Sequence, residues 1–151
     1  MEKSLILVKP DGLQRGLVGE ILSRFERKGL KIIGLKMLAV EDAMLEDHYA
    51  HIADKPFFAD IKVFMKSSPL VAIALEGGEG SVASIRILVG PTKGFEAPAG
   101  TIRGDFGLSG SSNLVHASDS VESGRTEVDR FFGSDELFEY TKTELQHVYG
   151  K

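Results

Sequence analysis

Three short apolar runs, each followed by helical periodicity, limit what this chain can fold into. SLILVK (4–9) runs into Pro-Asp-Gly, LKIIGLKMLAV (30–40) into an acidic stretch, and LVAIALEGG (70–78) into a glycine turn. Apolar runs of this length bounded by turn residues read as strands. After the first, Val18, Ile21, Leu22 and Phe25 recur at helical spacing, and Gly29 ends that helix. VEDAMLEDHYAHI (40–52) reads as a helix. So does DKPFFADIKVFMKSS (54–68), with Asp54 as N-cap, Pro56 in the first turn, and Phe58, Ile61 and Met65 on one face. Val82, Ile85, Arg86 and Val89 form another helical stripe. A short strand at 114–115, a helix over 121–132 and a last helix near 135–140 complete the series. Strands alternating with helices predict an α/β (α+β) sandwich, with helices packed on one sheet.

The remaining stretch, GPTKGFEAPAGTIRGDFGLSGSS (90–112), shows no periodicity. A loop of that length inside a compact domain is functional or disordered, and Arg103 between Ile102 and Gly104 favours an ordered one. The 151 residues suit one domain over 1–151. The chain has no cysteine, which excludes disulfides and thiol catalysis and fits a reducing compartment. No apolar run approaches the ~20 residues of a membrane span, so no membrane is expected and the expected location is cytoplasmic. The net charge of −4 argues against nucleic acid as the main partner. If the chain binds phosphates, it must do so with a few placed cations and not with a global field.

SNLVHASDS (112–120) draws attention to His116, an imidazole between a strand and a helix start, followed by small residues. Imidazole can act as nucleophile, base or ligand near neutral pH. No second histidine, cysteine or carboxylate stands at ligand spacing beside it in sequence, which disfavours a metal centre. The helix after it can be capped by Ser118, Asp119 or Ser120. Glu127 on that helix could orient the ring or simply be solvated. Arg86 on an apolar stripe either snorkels or reaches an anion. Lys9 ends a strand before a turn, and Arg103 could pair with Asp105. Neither a Walker-type nor a dinucleotide-type glycine loop occurs.

Taken together, VKPDG (8–12), KPFF (55–58), AGTIRGDF (99–106) and NLVHASDS (113–120) resemble the nucleoside diphosphate kinase family, in order and spacing across essentially the whole chain. The resemblance implies a ferredoxin-like fold with a four-stranded antiparallel sheet. It implies that His116 takes the γ-phosphate of a nucleoside triphosphate and passes it to a nucleoside diphosphate. It further implies Glu127 as the supporting carboxylate, bonded also to Ser118, with Tyr49 supporting the histidine. Lys9, Arg86, Arg103, Thr92 and Asn113 then hold phosphates and ribose, and Phe57 stacks on the base. Mg²⁺ is implied as cofactor, bound mainly through nucleotide phosphates, and a homo-oligomer, hexamer or tetramer, is the implied assembly. Three positions depart from the pattern. His51 replaces an acid, Gly110 replaces an apolar residue opposite the stacking Phe57, and Gly94 replaces a proline in a loop that builds subunit contacts. A one-sided base clamp is the implied result of Gly110. The alternative is a non-catalytic regulatory member of the fold, or one that binds nucleotide or nucleic acid.

Overall fold

A computed structural model describes residues 1–150. Four strands form one sheet in the order β2-β3-β1-β4, with every neighbouring pair antiparallel. They are β1 (Glu2–Val8), β2 (Lys31–Leu38), β3 (Leu70–Gly77) and β4 (Val115–Ala117). The helices are α1 (Pro10–Gln14), α2 (Val18–Arg27), α3 (Asp42–His48), α4 (Phe58–Met65), α5 (Ser81–Val89), α6 (Ile102–Phe106), α7 (Val121–Phe131) and α8 (Leu145–Tyr149). This is the antiparallel α+β sandwich with a ferredoxin-like strand order.

The central strand β1 has helices on both faces, which is why its sequence reads as an unbroken apolar run. Ile6 and Val8 face a core built from Ile21 and Phe25 of α2, Ile85 and Val89 of α5, and Ile102 of α6. Leu5 and Leu7 face a second core with Leu45 of α3, Phe58 and Met65 of α4, and Val128 and Phe131 of α7. Helix α7 approaches β1 closely at Gly124, where a Cβ would collide with the Lys3 carbonyl. That approach sets the height of Glu127 above the sheet. Among the described residues, no helix is long and apolar enough to cross a membrane.

Several local expectations are corrected. Asp54 does not cap α4. Residues 49–58 make successive tight turns, with Ile52 N bonding Tyr49 O, Lys55 N bonding Ile52 O and Phe58 N bonding Lys55 O, and the helix starts at Phe58. The preceding helix stops at His48 and not near Ile52. No helix spans 135–140. A single 3₁₀ turn at Ser134–Glu136 gives way to extended chain, because Phe138 N and the Tyr140 hydroxyl donate to the Ile33 and Ile32 carbonyls of β2. Lys9-Pro10-Asp11-Gly12 is not only a turn. Pro10 opens α1, the position where a missing N–H is harmless. The aperiodic stretch contains α6, capped by the Thr101 hydroxyl, which accepts from Gly104 N. Arg103 does not pair with Asp105, whose carboxylate instead holds Arg24.

Candidate active site

Antiparallel pairing sets His116 opposite Leu7, so it shares the sheet face covered by α3 and α7. Its ring therefore meets one side chain from each helix. From α7, Glu127 Oε2 lies 2.8 Å from His116 Nε2. The same oxygen accepts from the Ser118 hydroxyl at 2.6 Å, and Ser118 Oγ in turn accepts from Leu5 N at 2.9 Å. Burial pushes the Glu127 carboxyl up, but His116 and Ser118 outweigh it and hold it below the ordinary value. Glu127 is thus an ionised acceptor, and His116 Nε2 must be the donor. The Nδ1 lone pair is left free. Ser120 caps α7, accepting from Ser123 N, which decides among the three possible caps.

From α3 comes His48, which pattern reasoning missed. Its ring stands edge-on to His116, with centroids 4.6 Å apart and planes at 77°. Tyr49 and Phe131 wall it on other sides. Arg130 lies at 3.2 Å from His48 Nδ1. A guanidinium only donates, so Nδ1 accepts and the neutral ring carries its proton on Nε2, which is buried without a partner. Burial, and then the His116 ring, push the His48 pKa down to about 3. His48, His116 and Glu127 form a group that sequence spacing did not reveal, with potential ligand atoms within 4.8 Å of one another. Within that group Glu127 Oε2 already accepts from both His116 and Ser118.

The cations lie along β4. Its outer carbonyls, unpaired because β4 is an edge strand, are taken by two arginines. Arg103 Nη2 donates to Val115 O at 2.6 Å and Arg86 Nη1 to Ala117 O at 3.1 Å. The guanidiniums bracket His116 along the strand. Arg103 is buried, and it also donates to Asn113 O and Gly90 O. Burial and then Arg86 lower its pKa to about 10. On the other flank, Lys9 Nζ donates to Asn113 Oδ1 at 2.8 Å. Burial and then Arg103 lower Lys9 to about 8, against the pull of Asp11. Asn113 Nδ2 donates to the Thr92 carbonyl.

Beside these residues opens a cleft of about 700 Å³. Lys9, Tyr49, Thr92 and Asn113 line it, and so do Phe57, Phe64, Gly110 and Ser111. Burial pushes the Tyr49 hydroxyl up to about 12, so it stays protonated. Phe57 is half exposed at the mouth. Arg86, Arg103, His116, Ser118 and Glu127 do not line the cleft itself, and the side chain of His116 is 20% exposed. A Cβ on Gly110 would meet only Lys93 Cγ, at 3.6 Å, so that wall is open. His51 is exposed and reaches the site only through its charge on His48. Gly94 is buried against Gly107, where a Cβ would strike backbone.

A conserved-sequence profile described as "Nucleoside diphosphate kinase" matches residues 2–137. The chain belongs to the nucleoside diphosphate kinase family. Among its relatives, the nucleoside diphosphate kinase of Gloeobacter violaceus is 48% identical over 149 residues, covering 99% of each chain. That of Archaeoglobus fulgidus is also 48% identical over 149 residues, covering 99% of this chain and 98% of the relative. A family member from Babesia bovis has the same fold, with a TM-score of 0.94, 43% identity, and coverage of 99% and 100% of the two chains. A halophilic nucleoside diphosphate kinase from Halobacterium salinarum, solved in complex with CDP, matches with a TM-score of 0.94 at 39% identity and covers 98% of both chains.

Proposed function

We propose that this chain is a nucleoside diphosphate kinase that works by a ping-pong mechanism through a phosphohistidine on Nδ1 of His116. One observation carries the reading. Glu127 occupies Nε2 and fixes its proton, so a neutral imidazole presents its lone pair from Nδ1. In the first half-reaction that lone pair attacks the γ-phosphorus, and the bond to the bridging oxygen breaks. Its electrons leave with the nucleoside diphosphate. The second half-reaction reverses this toward another diphosphate. As positive charge develops on the ring, Glu127 stabilises it and Ser118 keeps the carboxylate aimed, as triad logic requires.

Phosphoryl transfer depends mainly on positioning and charge neutralisation. Lys9, Arg86 and Arg103 serve the phosphates, with Thr92 and Asn113 holding phosphate and ribose. The two arginines are already fixed by β4 carbonyls, so little reorganisation is needed when charge develops. Tyr49 packs edge-on against His48 and supports His116 through it. Phe57 stacks on the base. Stacking reads a π-face and not an edge, so broad base tolerance follows. Mg²⁺ would enter this site as an ion carried by the nucleotide phosphates, since Glu127 is taken up by His116 and Ser118. When bound there, it neutralises phosphate charge. A hexamer or tetramer is the assembly this reading expects, and the exposed Leu35 and Met37 on the sheet's other edge strand support association.

Incubation with γ-labelled ATP and no acceptor tests the proposal. The protein should become labelled with an alkali-stable, acid-labile phosphate, and His116→Ala should abolish it. A His116→Ala protein that still moved phosphate to a diphosphate would overturn the reading.

A further inference from the structure

Leu114 is the only non-glycine residue with positive φ among the described residues, at 75°. Val115 N bonds Asn113 O across it at 2.9 Å, which makes a γ-turn of the rarer, strained hand. Leucine gains nothing from that conformation and adopts it only where its surroundings force it. The turn lies between Asn113, which grips Lys9, and His116. Both of its remaining backbone groups are held from the start of the chain. Lys9 N donates to Leu114 O at 2.8 Å, and Leu114 N donates to Asp11 Oδ2 at 3.0 Å. Gly12 allows the approach, since a Cβ there would press on Val8 and on the Leu114 carbonyl. Leu114 itself is fully buried.

We propose that Asp11 is a positioning residue for the reaction: its carboxylate pins Leu114 in the strained turn that aims Asn113 at Lys9 and starts β4 in the register that presents His116. The inference rests on the function proposed above. Without Asp11, a buried N–H loses its acceptor, and the turn can relax toward negative φ. Relaxation swings the Asn113–Leu114 peptide and shifts the side chains on either side of it. Displacement by about 1 Å at such a site costs up to ~10²-fold in rate. Asp11 touches no reacting atom. Its other oxygen, Oδ1, is buried without a hydrogen-bond partner, near enough to Lys9 and Arg103 to act on their charges. A purely electrostatic role is therefore the rival explanation, and the two respond differently to loss of charge.

The experiment compares wild type, Asp11→Ala and Asp11→Asn in single-turnover phosphorylation by saturating γ-labelled ATP, alongside hydrogen exchange at the Leu114 amide. Wild-type labelling establishes the underlying function first, so its failure is separate from failure of this proposal. Asp11→Ala should slow phosphoenzyme formation by at least ~10-fold and speed exchange at Leu114. Asp11→Asn, which keeps an acceptor oxygen without the charge, should stay within about threefold of wild type with that amide still protected. A wild-type rate in Asp11→Ala overturns the proposal. So does a loss in Asp11→Asn as large as in Asp11→Ala while the Leu114 amide stays protected, because the charge then matters and the turn does not. If Asp11→Ala does not fold, Asp11→Asn still overturns the proposal by slowing phosphoenzyme formation at least ~10-fold while its Leu114 amide stays as protected as in wild type.

Discussion

Acid should destabilise this fold through His48, and by a calculable amount. The residue is 7% exposed, with Nδ1 occupied by Arg130 and Nε2 unpartnered. Burial, then the His116 ring, and the charges of Arg130 and His51 bring its pKa to about 3, with Glu127 opposing. In the unfolded chain a histidine titrates near 6.5. Between about pH 6.5 and 3 the unfolded chain therefore holds one more proton than the folded one, and stability falls as pH falls. Each pH unit is worth about 1.4 kcal/mol. Going from pH 6.5 to 4.5 removes ~2–3 kcal/mol, a large part of a typical ~5–15 kcal/mol. Glu127 and other paired carboxylates add losses of their own, so a variant must isolate His48. His48→Asn places an amide oxygen where Nδ1 accepts from Arg130 but cannot titrate. Urea unfolding followed by far-ultraviolet circular dichroism, at fixed protein concentration because association shifts apparent stability, gives both curves. The stability gap between the two proteins should change by ~2–3 kcal/mol, in favour of the variant, from pH 7 to 4.5. Parallel curves across that range would rule out His48 as the acid-sensitive group.

Lys9 should impose the alkaline limit on nucleotide capture. Its pKa is lowered to about 8, so kcat/KM, which reports the free enzyme, should fall as pH rises through that value; a profile flat to pH 10 would remove Lys9 from phosphate binding. The open wall at Gly110 should be fillable, because φ there is not left-handed and the space holds only Lys93 Cγ. Gly110→Val should lower KM for nucleotides. Phe57→Ala should raise it for ADP and GDP alike, by roughly 5- to 150-fold for a stack worth ~1–3 kcal/mol. Unchanged KM values in Phe57→Ala would make Phe57 a packing residue only.

The strands β1 and β3 were legible because a strand covered by helices on both faces must be apolar throughout. Helix α6 was not, since its five residues are too few to show periodicity and its stabilising features are local: the Thr101 cap and the three carbonyls that Arg103 reaches. A Ser or Thr before an apolar residue was the available clue. The 135–140 segment misled for the opposite reason, as its Leu137 and Phe138 are set by backbone bonding to β2, which no local pattern encodes. In the site, His116 stood out through its neighbours, and Glu127 gained a role only through the resemblance. His48 and Asp11 left no trace in spacing. Each acts across long sequence separations, and each depends on a ring or a peptide orientation that exists only after the sheet has formed.

The ladder between β1 and β4 has a further consequence, for how the protein is made. The bonds that organise the imidazole's surroundings join Leu5 to Ser118 and Lys9 to Asn113, separations of 113 and 104 residues. Synthesis releases β1 first, and its inner edge finds β3 while the later residues are still unmade. Its other edge, which belongs to β4, stays open until residues 115–117 arrive, and an unpaired apolar strand edge invites pairing with other chains. Such distant contacts also close slowly. The site is therefore complete only once β4 and then α7 have docked, and until then this strand edge is open to other chains.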